Sequence, residues 1–309
     1  MFTLEQSKVY FRDTLVDFKD ANISIANTAF LYGLGVFTGM RAHKNEETGE
    51  LFVFRLREHY RRLVKSCKLM KFESFAKDFD EEAFVATVRE LITQNNIDED
   101  VYIRATVFVD ETKIGPKLSG YKDSLILFLY PLKNYVSLDG LKCCISTWRR
   151  LPDNSIPPRA KAVGAYVNTA LVKDEAVQKG YDEGILLDEA GHAVEGSAEN
   201  LFIVRDGVIY TPGFASDVLE GITRDSVITF ARDLGYEVVE REIDRTELYT
   251  SDEVFLTGTA AKVSPVIHID TTDIGDGKVG PVAKQLQEVF FRTCRGQEQK
   301  YYHWLTKVG

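Results

Sequence analysis

Lys161 stands between two alanines after a proline-rich approach, in Pro157-Pro-Arg-Ala-Lys-Ala-Val-Gly-Ala-Tyr166. A primary amine can hold an aldehyde as a Schiff base, and small neighbours let a bulky ring come close to the backbone. A lysine taken singly is more often a solvated surface group. Further along, after Asp188-Glu-Ala-Gly-His192, a turn between two strands, Glu195 opens Glu195-Gly-Ser-Ala-Glu-Asn-Leu-Phe202 and reads as a carboxylate in an apolar, small-residue turn. A carboxylate aimed at a ring nitrogen needs such neighbours to admit the ring. Glu199 competes for that role and reads better as a structural hydrogen-bond partner. An amine anchor and a carboxylate that keeps a pyridine protonated are the two groups a protein supplies to pyridoxal 5'-phosphate (PLP).

A phosphate requires N–H donors and positive charge. Leu219-Glu-Gly-Ile-Thr-Arg-Asp225 puts Gly221 and Thr223 at a helix start, where exposed N–H groups and the helix dipole favour an anion. An ordinary N-cap has the same pattern. Thr257-Gly-Thr-Ala-Ala261, after an apolar strand, is a second small-residue loop with hydroxyls. Arg62, in Arg57-Glu-His-Tyr-Arg-Arg-Leu63, offers a guanidinium fork for phosphate. The plainer reading of Arg62 is a solvated helix face shared with Arg55, Arg57 and Arg61.

The elements that must position these groups are mixed. Val9–Phe11 and Thr14–Phe18 read as a hairpin about Arg12-Asp13. Strands are predicted over 35–43, 51–54, 101–108 and 124–130, and helices over 57–70 and 81–94. Residues 131–140 carry a proline, an asparagine and a terminal Asp139-Gly140, and read as a connector. Beyond it come a strand over 141–146, a helix over 165–179, and strands over 184–187, 201–204 and 208–210. A helix over 221–234, strands over 254–256 and 263–269 and a last helix over 280–292 complete the pattern. The predicted class is α+β, with mixed sheets and flanking helices. A small α/β domain spans 1–132, the connector 133–140, and a large cofactor-binding domain 141–309.

With 309 residues, 44% of them hydrophobic, the chain is ample for a core and long for one domain. Its net charge of −9 argues against nucleic acid or anionic lipid as a main partner. Cys67, Cys143, Cys144 and Cys294 form no C-x-x-C pair and read as buried free thiols of a reducing compartment. The longest apolar run, Leu125–Tyr130, is far too short to span a bilayer, and the first residues lack an apolar signal core, so a soluble cytoplasmic protein is expected. The histidines lack metal-ligand spacing and no Gly-x-Ser-x-Gly elbow is present, so no metal site and no hydrolase is predicted.

Glu195-Gly-Ser-Ala-Glu-Asn-Leu-Phe-x-Val-x-Asp-Gly207, Gly221-Ile-Thr-Arg-Asp225 and Gly258-Thr-Ala-Ala261 occur in order. Together they resemble the fold-type IV PLP enzymes, which include the D-amino acid and branched-chain aminotransferases, and most nearly the branched-chain group. The likeness runs from Asp20 to Trp304. It implies that Lys161 is the Schiff-base lysine and proton shuttle, that Glu195 partners the pyridine nitrogen, and that Tyr166 contacts the ring hydroxyl. It implies that Arg62, Ile222, Thr223 and Thr259 hold the phosphate. On the substrate side, Tyr32, Phe37 and Tyr166 would wall an apolar pocket. Tyr102, with Arg41 behind it and the N–H groups of Thr259 and Ala260, would take the α-carboxylate. Arg104 and Tyr135 would meet the distal carboxylate of glutamate.

The implied activity is transfer of amino groups from L-leucine, L-isoleucine and L-valine to 2-oxoglutarate, by ping-pong kinetics, in branched-chain amino acid biosynthesis. The implied partners are small amino acids, 2-oxo acids and a second copy of the chain in a homodimer, with higher homo-oligomers open. The alternatives on the same fold are a D-amino acid or (R)-amine transaminase and an aminodeoxychorismate lyase. A metabolite-binding protein without catalysis is the reading from another class. The sequence departs from the family pattern at Ala165, where asparagine is frequent, and in the loop Asp110–Leu118.

Overall fold

The computed structural model describes residues 2–132 and 137–309. Two compact units divide the chain: Met1–Lys133 with Ala160–Gly164 and Arg292–Gly309, and Asn134–Arg159 with Ala165–Phe291. These differ from the predicted limits, which give all of 141–309 to one domain. Backbone pairing is the reason. Ala162 bridges Val36, and the C-terminal strand Leu305–Lys307 pairs with Leu51–Phe54. Both excursions are sheet additions at long sequence separation, which no local pattern reports. Residues 133–136 of the predicted connector lie outside the described residues.

The first unit is built on a seven-stranded sheet. Its strands are β1 (Lys8–Phe11), β2 (Thr14–Asp17), β3 (Gly35–Lys44), β4 (Leu51–Phe54), β5 (Val101–Val109) and β6 (Asp123–Tyr130), with Leu305–Lys307 at one edge. The order is Leu305–Lys307, β4, β3, β5, β6, β1, β2, with neighbours antiparallel. The β1–β2 hairpin turns at Arg12-Asp13, both at positive φ, as the sequence pattern requires. Helices α1 (Thr28–Tyr32), α2 (Leu56–Leu69), α3 (Ser74–Asp78) and α4 (Glu81–Gln94) complete the unit. α2 and α4 are amphipathic. They bury Leu63, Cys67, Phe84, Val88 and Leu91 in one cluster with Met40, Val53, Ile103 and Leu127 of the sheet. α1 and α3 are not legible in the sequence, because five residues are too few to display a 3.6-residue period.

The second unit carries β7 (Leu141–Arg149), β8 (Glu183–Leu187), β9 (Ala193–Gly196), β10 (Asn200–Arg205), β11 (Val208–Thr211), β12 (Val238–Glu240), β13 (Glu253–Gly258) and β14 (Lys262–Ile269). The strand order is β12-β11-β10-β13-β14-β7-β8-β9, and β9 also meets β10 at Glu195–Asn200. The path from β10 round to β9 therefore closes into a ring, which removes its open edges. Helices α5 (Tyr166–Gln178), α6 (Ile222–Asp233), α7 (Arg245–Tyr249) and α8 (Pro281–Cys294) follow. Glu195 lies in β9, not in a turn as predicted: a four-residue strand that follows Gly191 and ends in Gly196 carries turn composition. All four cysteines are buried and none is in a disulfide. Burial pushes the Cys67 and Cys143 thiols up, so neither is a ready nucleophile. No helix among the described residues is long and apolar enough to cross a membrane.

Candidate active site

In the first unit, β4 covers only the far end of β3, from Ala42 to Lys44. The near end is left open on that side, and residues 160–164 fill it. Phe37 N–H donates to the Lys161 carbonyl at 2.9 Å, Val163 N–H to Gly35 at 2.8 Å, and Gly164 N–H to Gly33 at 3.1 Å. The two chain segments come so close at Gly33 and Gly164 that a Cβ on Gly33 would stand 3.0 Å from Gly164 Cα. Lys161 is thus held by backbone bonds at its own carbonyl and at the residues that follow it. Its Nζ lies 5.2 Å from the centroid of the Phe37 ring. Ser66 of α2 accepts the Lys161 N–H at 3.3 Å and donates to the Arg62 carbonyl at 3.0 Å.

Antiparallel register pairs Phe37 with Thr106, Gly39 with Arg104 and Arg41 with Tyr102. With a two-residue period, Phe37, Arg41, Tyr102 and Arg104 share one face. The Arg104 guanidinium lies 3.3 Å over the Phe37 ring and approaches Tyr102 Oη at 3.4 Å. Arg41 is buried and donates to the Leu132 carbonyl at 2.6 Å. Burial pulls its guanidinium down from the usual arginine range, and the charge of Asp100 opposes this. Tyr32 ends α1, where its Oη accepts the Gly115 N–H at 3.2 Å, tying the 111–116 loop to that helix. Tyr135 lies outside the described residues.

Gly39 makes room for Tyr102: a Cβ there would stand 2.0 Å from Tyr102 Oη. Gly39→Ala is expected to displace the tyrosine ring and cost about 1–3 kcal/mol of stability through overpacking. Thermal unfolding checks the stability loss. If Tyr102 serves the α-carboxylate, KM for the amino acid rises in the same variant while affinity for PLP holds.

In the second unit, Glu195 is 4% exposed and three donors converge on it. Asn200 Nδ2 and Leu219 N–H each donate to Oε1 at 2.8 Å, and Arg150 Nη2 pairs with Oε2 at 3.1 Å. Arg150 is held in turn by the Asp217 carbonyl at 2.9 Å. Donors of this kind favour the charged carboxylate. Glu199, also buried, accepts the Ala198 N–H at 3.0 Å. Ile222 and Thr223 begin α6 behind Gly221, where a Cβ would meet Asn200 Oδ1 at 1.9 Å. Thr259 and Ala260 form the turn between β13 and β14, and Tyr166 begins α5. Ser197 Oγ and Thr257 Oγ1 are buried without a hydrogen-bond partner among the described residues. Buried hydroxyls normally find a partner. These two, one beside Glu195 and one before the Thr259 turn, fit a polar group bound in this unit. A buried anionic carboxylate, a helix N-terminus and a hydroxyl-rich turn match the ring nitrogen and phosphate of PLP.

The profile of Amino-transferase class IV matches residues 35–269. The chain belongs to this family. Among relatives of this class IV aminotransferase, the probable branched-chain-amino-acid aminotransferase of Aquifex aeolicus is 45% identical, over 97% of this chain and 96% of that protein. The crystal structure of branched-chain aminotransferase from Thermoproteus uzoniensis with norvaline superimposes with a TM-score of 0.94 at 38% identity, covering 98% and 99% of the two chains. That of branched-chain amino acid aminotransferase from Thermobaculum terrenum in its PLP-bound holo-form gives 0.93 at 32% identity, covering 99% and 100%. The fold is therefore that of the fold-type IV aminotransferases.

Of the predicted residues, the first unit holds Tyr32, Phe37, Arg41, Arg62, Tyr102, Arg104 and Lys161. The second holds Tyr166, Glu195, Ile222, Thr223, Thr259 and Ala260. Sequence reasoning passes over Arg150 and Asn200, the two side chains that fix Glu195. Asn200 stands inside the quoted motif without a role. Arg150 follows Arg149, and nothing local tells the inward arginine from its neighbour.

Proposed function

We propose that this aminotransferase uses PLP to move the amino group of L-leucine, L-isoleucine and L-valine to 2-oxoglutarate, giving 2-oxo acids and glutamate by ping-pong kinetics. The observation that carries the reading is the fixed Lys161 segment, in a chain alike over its full length to branched-chain aminotransferases. When bound, PLP supplies an aldehyde that takes up the amino group and a ring that accepts the electron pair left at the α-carbon.

The chain's own groups have separable tasks. Lys161 Nζ would hold the aldehyde, and as a free amine it would be the base that takes and returns the proton of the amino acid's α-carbon. Glu195, kept anionic by Arg150, Asn200 and the Leu219 N–H, holds the ring nitrogen protonated. Tyr166 meets the ring hydroxyl. The phosphate belongs to Arg62, the Ile222 and Thr223 N–H groups at the helix start, and Thr259. On the substrate side, Tyr102 with Arg41 and the Thr259 and Ala260 N–H groups serve the α-carboxylate. Phe37, Tyr32 and Tyr166 serve an apolar side chain. Arg104 and Tyr135 serve glutamate's second carboxylate. Stacked on Phe37, Arg104 can offer its charge to glutamate at the rim of an apolar wall.

A homodimer in the cytoplasm is part of the proposal. Ile25, Phe30 and Ile114 are 85%, 65% and 80% exposed in the first unit, an apolar set that a second copy would cover. The deciding experiment is a donor screen with 2-oxoglutarate as acceptor. Glutamate formation is expected with L-leucine, L-isoleucine and L-valine. Faster turnover of D-alanine or (R)-1-phenylethylamine would overturn the substrate assignment.

A further inference from the structure

The buried face of α2 carries His59, Arg62 and Ser66 at positions i, i+3 and i+7, one stripe of a helix. Thr38 of β3, fully buried, lies against it. Thr38 Oγ1 is 2.7 Å from His59 Nδ1 and accepts Arg62 Nη2 at 3.1 Å. A guanidinium can only donate, so the hydroxyl must accept from Arg62. That leaves the single hydroxyl proton to be given elsewhere, and His59 Nδ1 stands within its reach. Where that proton goes to Nδ1, the imidazole is neutral with its own proton on Nε2. Its surroundings agree: burial, then the charges of Arg62, Arg55 and Lys161, hold His59 well below the usual histidine range.

We propose that His59 is a positioning residue for Arg62. By taking the Thr38 proton at Nδ1, it turns the hydroxyl lone pair onto the guanidinium and fixes the fork that receives the cofactor phosphate. The inference rests on the reading that Arg62 holds that phosphate. Without His59 the hydroxyl can rotate, and the long arginine side chain regains rotamers that phosphate binding must then restrict. Packing alone gives a different expectation. A histidine that only fills space under β3 would, when replaced, loosen the whole unit and weaken every ligand alike.

The experiment compares dissociation constants of the full-length apoenzyme for PLP and for pyridoxal, which keeps the aldehyde and ring but lacks the phosphate. His59→Leu and Thr38→Val are each expected to weaken PLP binding about 10-fold, the scale of a hydrogen bond to a charged group. Pyridoxal binding should stay within about twofold, because nothing in the relay touches the ring. The double variant should be no weaker than either single one, since both break the same relay. His59→Asn, whose amide oxygen can stand in for Nδ1, should restore most of the PLP affinity. Equal losses for PLP and pyridoxal, or no loss for PLP, would overturn the proposal. Thr38→Val, nearly unchanged in shape, decides the matter should His59→Leu fail to fold. Arg62→Ala separates the two levels. If it keeps the preference for PLP over pyridoxal, the assignment of Arg62 is wrong. If it loses that preference while the His59 and Thr38 variants keep it, only the positioning role falls.

Discussion

Lys161→Ala is expected to lower turnover at least about 10³-fold while leaving the fold intact. The side chain supplies both the anchor for the aldehyde and the base for the α-proton, and no other residue on the β3 addition carries an amine. Its backbone supplies something else: the carbonyl bond to Phe37 and the N–H bond to Ser66, both of which an alanine keeps. With Ala160 and Ala162 already on either side, a third alanine meets no new contact. Stability should therefore change by no more than about 0.5 kcal/mol. Borohydride reduction of the wild-type holoenzyme followed by peptide mapping should label the 160–164 stretch, and the variant should be unlabelled there. Wild-type turnover in the variant, or a label on another lysine, would remove Lys161 from the mechanism.

Glu195→Ala is expected to damage both stability and turnover. Arg150 would keep its charge at 14% side-chain exposure with its carboxylate gone. Asn200 Nδ2 and the Leu219 N–H would lose the oxygen they share, although Asn200 keeps its 3.0 Å bond to the Leu219 carbonyl. Breaking a buried pair from one side costs about 3–5 kcal/mol, most of it from the charge left behind. Chemical denaturation should show that loss. Turnover should fall about 10²–10³-fold, the scale for removing one preorganised electrostatic partner. Arg150→Met combined with Glu195→Ala should recover much of the stability, because the stranded charge is gone, but none of the turnover. Recovery of both would mean that Glu195 serves only to neutralise Arg150.

The predicted helix and strand pattern agrees with the structure where the signal is local. α4 runs over Glu81–Gln94, as its periodicity requires. The β10–β11 hairpin turns at Asp206-Gly207, both at positive φ. Arg62 is ambiguous in the sequence for a sound reason: four arginines crowd 55–62, and helical phase alone does not say which is covered. Arg57 and Arg61 pair with Glu81 at the surface, whereas Arg62 is buried against Thr38. Small neighbours single out Glu195 in the sequence, yet Glu195 itself lies in a short strand that closes a ring of strands.

The chain's order alone carries the inventory: an amine among small residues, a carboxylate followed by Gly-Ser-Ala, a helix start behind glycine, and the alternation that puts Phe37 with Arg41, and Tyr102 with Arg104, on one face of each strand. Each rests on covalent proximity or on a repeat of two or 3.6 residues, which side-chain chemistry writes directly into the chain. Folding in three dimensions settles that Ala160–Gly164 completes the open end of β3, that Arg150 and Asn200 clamp Glu195, and that His59 reaches Arg62 through Thr38. Those are pairings of groups far apart in sequence. Buried donors and acceptors must find one another, and which of them meet is settled by sheet register and core packing rather than by neighbouring residues.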